Sequence, residues 1–166
     1  MLNAPLNFQT LARNIDGPVR PPWSVNESLF LELCTQCSDC IDACQRNIII
    51  EGRGKYPEID FSKGGCYYCG DCVQACQHGG LSPSTDNPWN LAAFITQNCV
   101  TTQGIACSDC ADECEAHAIN IRLSVNSPPV PVLNQRLCTG CGQCVSVCGA
   151  DAIVMLTTIH EGGMTS

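Results

Sequence analysis

Aromatic residues and long hydrophobic runs are scarce in this chain of 166 residues. Only 5% of the residues are Phe, Tyr or Trp, so a conventional core would have few large side chains to anchor it. No stretch approaches the roughly 18 consecutive apolar residues that a membrane-spanning helix needs, which predicts a protein without a membrane span. Residues 1–20 show neither an apolar run nor a basic segment of the export-signal type. We therefore expect a cytoplasmic protein.

Positive charge is also scarce. The chain has 8 Lys and Arg residues against 16 Asp and Glu residues, and its formal net charge is −8. Nucleic acid is therefore excluded as an expected partner, because binding to phosphates depends on basic side chains. A basic patch on a protein partner fits better, since opposite charges speed the encounter of two proteins.

Cysteine, by contrast, is abundant, and its sixteen residues form four runs with none left over. The runs are Cys34, Cys37, Cys40, Cys44; Cys66, Cys69, Cys72, Cys76; Cys99, Cys107, Cys110, Cys114; and Cys138, Cys141, Cys144, Cys148. Runs one, two and four follow the pattern C-x2-C-x2-C-x3-C. Run three lengthens only its first interval, which predicts a loop insertion before Cys107.

This spacing is typical of iron–sulfur proteins. Three thiolates two residues apart can bind three corners of an iron–sulfur cube, and in bacterial two-cluster proteins the fourth cysteine ligates the other cluster. We expect that fourth cysteine to begin a short helix that points away from its own run. Structural zinc uses separated cysteine pairs and leaves two cysteines of each run without a role. Disulfides need an oxidising compartment. All sixteen cysteines are therefore predicted to ligate four [4Fe–4S] clusters, with no histidine ligand and no catalytic side chain.

A longer repeat divides the chain into two halves. Pro22-Trp23 precedes the first run and Pro88-Trp89 precedes the third, and each pair leads into a short apolar segment that is predicted to be a strand or a short helix. In each half, an apolar patch, a turn and a second extended segment then predict a hairpin, at 47–61 and at 118–133. The sequence thus predicts an α+β fold of two tandem bacterial-type, two-cluster ferredoxin-like units with short strands, short helices and many loops.

The predicted organisation has four parts. They are an N-terminal extension at 1–22, unit one at 23–85, unit two at 86–160 and a tail at 161–166, with a turn-rich linker at 79–87. Two pairings of the runs stay open. Sequential pairing would join Cys76 to run one and Cys44 to run two, and would repeat this in unit two. Nested pairing would join run two with run three and run one with run four.

Four aromatic side chains lie close to the runs. We expect Trp23 and Trp89 each to cover the base of its own unit. Tyr67 and Tyr68 stand between the first two cysteines of run two, where an aromatic ring could lie against a cluster. For both tyrosines we expect a packing role.

The sequence Arg20-Pro21-Pro22-Trp23-Ser24, the four runs in this order and the loosened third run resemble one known family. It is the NapF family, the ferredoxin-type accessory proteins of periplasmic nitrate reductase systems. The resemblance implies a cytoplasmic accessory protein, not an enzyme, that contacts the precursor of the molybdenum-containing catalytic subunit before export and helps to load or reduce its cluster. An electron-transfer subunit of a respiratory oxidoreductase is the alternative. One departure is that no proline follows the fourth cysteine of any run.

Overall fold

A computed structural model describes residues 12–13, 17–83, 88–125 and 127–158. The tail at 161–166 and most of the extension at 1–22 lie outside these residues. The described strands are β1 (Ala12–Arg13), β2 (Ile49–Glu51), β3 (Pro57–Ile59), β4 (Leu91–Ile95), β5 (Ile119–Ser124), β6 (Ser127–Leu133) and β7 (Ile153–Thr158). The helices are α1 (Glu27–Leu33), α2 (Asp39–Asp42), α3 (Asp71–Ala75), α4 (Asp109–Asp112) and α5 (Gln143–Ser146). Within the described ranges, short 3-10 turns occupy Arg53–Lys55, Phe61–Lys63 and Val100–Gln103.

The strands form three small antiparallel sheets. Strands β2 and β3 make one hairpin, with Ile49 opposite Ile59, and β5 and β6 make another, with Ile119 opposite Leu133. Both hairpins lie where the sequence predicted them. The third sheet has the order β1-β7-β4. Every strand of a two-stranded hairpin has a free edge, so the prolines of β3 and β6 are tolerated there.

The two halves differ in the apolar segment that follows each tryptophan. In the first half the segment forms helix α1, because Asn26 caps its N-terminus by accepting a hydrogen bond from the Leu29 N–H at 3.1 Å. In the second half the segment forms strand β4, which pairs with β7 along its length. The first half keeps only a single bridge between Ser24 and Leu81 at the equivalent place. The duplication in sequence is therefore only approximate in structure.

The buried side chains form two clusters. One belongs to the first half and includes Phe30, Ile48 and Leu81. The other is centred on the β4–β7 sheet, but it also buries Phe61 from the first half. The Phe61 ring lies over Gly142, whose φ of +78° and lack of a side chain allow this approach. The two halves thus share part of one core.

Aromatic rings extend this contact between the halves. Tyr68 lies between the two tryptophans, with ring centroids 6.2 Å from Trp23 and 5.7 Å from Trp89. Trp89 also packs edge-on against Phe61 at 5.6 Å, and its indole N–H donates to the Arg20 carbonyl oxygen at 3.1 Å. The Trp23 ring contacts Tyr68 of its own half, and its backbone N–H donates to the Pro88 carbonyl oxygen at 3.0 Å. The expectation for Trp89 was too narrow, because this ring also packs against Phe61 and Tyr68 of the first half.

Arg20 ties the segment before helix α1 to the first hairpin. Its guanidinium pairs with Glu27 at 2.7 Å and donates to the Pro57 carbonyl oxygen at 3.1 Å. The same group lies 5.1 Å from the Phe30 ring centroid and 5.4 Å from that of Tyr56. Its side chain is only 11% exposed, so these contacts are well shielded from water. The longest described helix, α1, has seven residues, and no helix in the described ranges could cross a membrane.

Replacing this arginine tests how much the lead-in segment contributes to stability. We expect Arg20→Ala to lower the free energy of unfolding by about 1–3 kcal/mol, because it removes charge-assisted hydrogen bonds and leaves the Pro57 carbonyl without its donor. Arg122→Ala, at an exposed position of β5, is the control and should change little. Anaerobic guanidinium unfolding followed by far-UV circular dichroism measures both variants. Equal midpoints for the two would contradict the role given to Arg20.

Candidate metal centres

Helices α2 to α5 share one arrangement of cysteines. In each helix the second residue is the third cysteine of a run, and the fourth cysteine follows the helix end. These two cysteines are four residues apart, which is about 6 Å along a helix axis, so their thiols lie at opposite ends of the helix. The expectation that the fourth cysteine begins a helix is wrong. The helix connects the third cysteine to the fourth.

The sixteen thiols line four cavities, each with three cysteines from one run and one from the other run of the same half. Site I is lined by Cys34, Cys37, Cys40 and Cys76, and site II by Cys44, Cys66, Cys69 and Cys72. Site III is lined by Cys99, Cys107, Cys110 and Cys148, and site IV by Cys114, Cys138, Cys141 and Cys144. This grouping matches the sequential pairing of the runs. The nested pairing is wrong for the positions of these thiols.

Left-handed backbone conformations curl the three regular runs. The residues just before and just after the second cysteine have positive φ in each of them, namely Gln36, Ser38, Tyr68, Gly70, Gly140 and Gly142. The third residue after the fourth cysteine is also left-handed in all four runs, namely Asn47, Gly79, His117 and Asp151. Successive N–H groups in such loops can turn toward an enclosed anionic group. The loops therefore suit an iron–sulfur core with bridging sulfide.

Run three has a different path, as its longer first interval predicted. The inserted residues form the 3-10 turn Val100–Gln103 and a left-handed turn at Gly104, and Ser108 has a φ of −134° where the regular runs are left-handed. Site III encloses about 310 Å³, whereas sites I, II and IV enclose about 30, 30 and 20 Å³. Thr101, 2% exposed, places its hydroxyl 3.2 Å from the Cys99 sulfur. The insertion thus makes site III the roomiest of the four.

Backbone N–H groups donate to several cysteine sulfurs. Ala118 and Ala152, each four residues after a fourth cysteine, donate to Cys114 and Cys148 at 3.3 Å. Further N–H donors reach Cys66 from Tyr68 at 3.4 Å and Cys138 from Ala93 at 3.5 Å. Such hydrogen bonds stabilise negative charge on a thiolate ligand and raise the reduction potential of a bound cluster.

Burial keeps the inner thiols protonated in the absence of metal. Burial, followed by the neighbouring thiols, raises the pKa of Cys72 and of Cys144 to about 12, and the pKa of Cys40 and of Cys110 to about 11. These four are the third cysteines of their runs. Because only the thiolate binds metal, loading of each site must release protons.

The grouping of the thiols bears on which kind of metal group each site can hold. In the described part of the chain, no three Cys, His, Asp or Glu side chains converge closely enough to hold one metal ion. Tetrahedral zinc would need its four sulfurs about 2.3 Å from a common centre. Four thiols spread around a cavity with inward-curling loops fit a cubane cluster instead. The cysteine sets therefore suit [4Fe–4S] clusters.

Sites II and IV meet where the two halves join, a feature that the run spacing did not reveal. The Cys66 N–H donates to the Cys141 carbonyl oxygen at 2.8 Å, and the Tyr68 hydroxyl donates to the Thr139 carbonyl oxygen at 2.7 Å. The Gln143 side-chain oxygen accepts from the Gly65 N–H at 3.0 Å. No single-run pattern could have identified this contact, because its partners are about 75 residues apart.

Arg46 and the two tyrosines of run two also lie beside site II. The Arg46 guanidinium donates to the Gln143 side chain at 3.4 Å and stacks 4.2 Å from the Tyr67 ring centroid. Tyr67 is 57% exposed, so the packing role expected for it is limited to this contact with arginine. Tyr68 is packed between the tryptophans, as expected of a packing residue. Arg46 was not identified from the sequence, although it lies only two residues after Cys44, the last cysteine of run one.

Comparison with known proteins gives these sites a family. Residues 33–81 and residues 104–152 each match a family model described as a 4Fe-4S dicluster domain. The ferredoxin-type protein NapF of Escherichia coli K12 is 40% identical over 141 residues, covering 85% of this chain and 86% of that protein. NapF of Haemophilus influenzae Rd is 41% identical over 137 residues, covering 82% and 78%. The ferredoxin-type protein NapG of E. coli K12 is 29% identical over 162 residues, covering 84% and 70%.

These matches agree with the architecture predicted from the sequence. The chain has two tandem dicluster ferredoxin domains, built from small helices and short strands in an α+β arrangement. Its cofactors are four [4Fe–4S] clusters, as the four cysteine runs predicted. From its identity to curated relatives over most of its length, the chain belongs to the family of ferredoxin-type proteins NapF.

Proposed function

We propose that all sixteen cysteines are cluster ligands and that sites I to IV, as defined above, are the four ligand sets. The cavities that the thiols line support this assignment. We also propose that unit one spans 23–85 and unit two spans 86–160, since each range contains one dicluster match. A [4Fe–4S] cluster supplies one-electron chemistry when bound. The protein holds the sulfurs, limits access of water and donates N–H groups to the ligands.

Pairs of substitutions test the ligand sets. In the proposed sets Cys37 and Cys76 share site I, so the double variant Cys37→Ala/Cys76→Ala should lose about four irons per chain, as many as either single variant. Cys37→Ala/Cys44→Ala removes two ligands of one run but of different sites, and should lose about eight. Iron and acid-labile sulfide are counted on anaerobically purified protein. A loss of about eight irons from the first double variant and about four from the second would show that each run holds its own cluster, whereas a loss of about eight from both would support nesting.

Removing the clusters tests whether they hold the fold together. We expect the cluster-free chain to lack a cooperative thermal transition, because four shared sites connect elements that few large side chains support. Circular dichroism during heating, before and after anaerobic chelation, makes the comparison. Reconstitution with iron and sulfide should restore the transition. A sharp transition in the cluster-free chain would show that apolar packing alone is sufficient.

For the biological role, we propose an electron-carrying accessory protein that acts in the cytoplasm on the precursor of the periplasmic nitrate reductase catalytic subunit. It would load or reduce the iron–sulfur cluster of that subunit before export. Membership of the NapF family is the observation that carries this proposal. The acidic chain, with a net charge of −8 that thiolate ligands make more negative, favours a basic docking patch on the partner. The chemistry resides in the clusters, and no side chain acts as a catalyst.

The lead-in segment that distinguishes the family has a structural role. Arg20 is held in ion pairs, Pro21 and Pro22 are buried, and Trp23 packs against Tyr68. Arg20, Pro21, Trp23 and Ser24 also line an open cavity of about 480 Å³. We place partner recognition on the acidic surface, because the net charge of −8 favours a basic partner.

Co-purification tests the proposed partner. With clusters intact and oxygen excluded, the chain should retain the unexported catalytic-subunit precursor, and the association should weaken as salt screens the opposite charges. An unrelated exported precursor is the control and should not be retained. Absence of binding by the cluster-loaded chain would contradict the proposal. Isolation of the native chain within a stoichiometric, turnover-active respiratory complex would favour the alternative, an electron-transfer subunit of that complex.

A further inference from the structure

The contact between the halves brings ligands of two different sites together. The Cys66 N–H donates to the Cys141 carbonyl oxygen at 2.8 Å, and these residues line sites II and IV. The backbones of two proposed cluster ligands therefore touch across the junction.

Within each half, the sites are connected by helices. Helix α2 places Cys40 at site I, with Cys44 just beyond its end at site II, and α3 connects the same two sites in the opposite direction. These helices pack against each other, as do α4 and α5, which connect sites III and IV. The described residues that line site I all come from the first half, and those that line site III all come from the second. Sites I and III thus lie on the far sides of the junction.

We propose that the four sites form one series in the order I, II, IV, III, and that electrons cross between the halves only from site II to site IV. This proposal rests on the ligand sets of the proposed function. In each step one electron moves from a reduced cluster to its oxidised neighbour, so that one becomes 2+ as the other becomes 1+, and no bond or proton changes place. Because tunnelling falls steeply with distance, the closest pair of sites across the junction carries the transfer.

Glycine and hydrogen bonds allow the close approach at the junction. A Cβ added at Gly65 would lie 2.8 Å from the Gln143 backbone, so a larger residue there would push the halves apart. Gln143, Arg46 and Tyr68 supply polar contacts across the same boundary.

Electron paramagnetic resonance of the fully reduced full-length protein tests the order. Neighbouring reduced clusters broaden each other's signals, whereas a cluster without a neighbour gives a simple signal. Single variants remove one site each: Cys37→Ala for site I, Cys69→Ala for site II, Cys107→Ala for site III and Cys138→Ala for site IV. Loss of site II should leave site I isolated, and loss of site IV should leave site III isolated. Each of these variants should show a simple signal that integrates to about one spin per chain, because a reduced [4Fe–4S] cluster is a one-electron centre.

The variants that remove an outer site are the matched controls. Loss of site I or site III leaves three neighbouring sites, so no isolated signal should appear. An isolated signal in either of these variants, or in none of the four, would overturn the proposed order. Iron counting on the same samples tests the ligand sets separately, since each variant should lose about four irons. If Cys69→Ala or Cys138→Ala loses more iron than expected, Cys44→Ala and Cys114→Ala serve as second variants for sites II and IV. They remove the ligand that follows helix α2 and the ligand that follows helix α4.

The junction itself can be tested in a chain that keeps only the two inner sites. The double variant Cys37→Ala/Cys107→Ala should show two mutually broadened spins. Adding Gly65→Ala should weaken that broadening, because it separates the halves. Gly149→Ala is the control, since an added Cβ there meets nothing within 4 Å. Unchanged broadening with Gly65→Ala, or two simple signals in the starting double variant, would contradict a contact between sites II and IV.

Discussion

The structure depends on one constraint, the four-residue separation of the third and fourth cysteines across a short helix. The two cysteines are about 6 Å apart along the helix axis, and their thiols line different cavities, so each helix supplies two sites. Two such helices packed against each other then define a pair of sites in each half. Helices of four or five residues would not be stable alone in water. Their order therefore depends on the metal sites and on the packing around them.

The second level of organisation is the junction between the halves. Phe61 and Tyr68 of the first half pack against Trp89 of the second, and the backbones of the runs at sites II and IV are hydrogen-bonded to each other. Two independent ferredoxin units on a flexible linker would hold their inner clusters at variable distances. The direct contact gives the inner pair a fixed separation. The lead-in before helix α1 adds to it, because the Trp89 indole binds the Arg20 carbonyl.

Several features could be predicted from the residues because they are local. The hairpins follow from an apolar patch, a turn and a second extended segment, and the insertion in run three follows from one lengthened interval. Other features could not be predicted from short segments, because they depend on which of several competing contacts a segment makes in the folded chain. Whether the segment after a tryptophan becomes a helix or a strand depends on the Asn26 cap in one half and on the partner strand β7 in the other. The wider role of Trp89 depends on rings that lie far away in sequence.

By itself the sequence determined the chemistry of this protein: the number of thiols, their spacing and hence the type and number of clusters, because ligand identity and local spacing are properties of short segments. It left open which runs share a site and which sites are neighbours. Only the tertiary structure decided the grouping of the thiols and the contact between sites II and IV, because both depend on which distant surfaces pack together. Spacing along a chain carries no information about that packing.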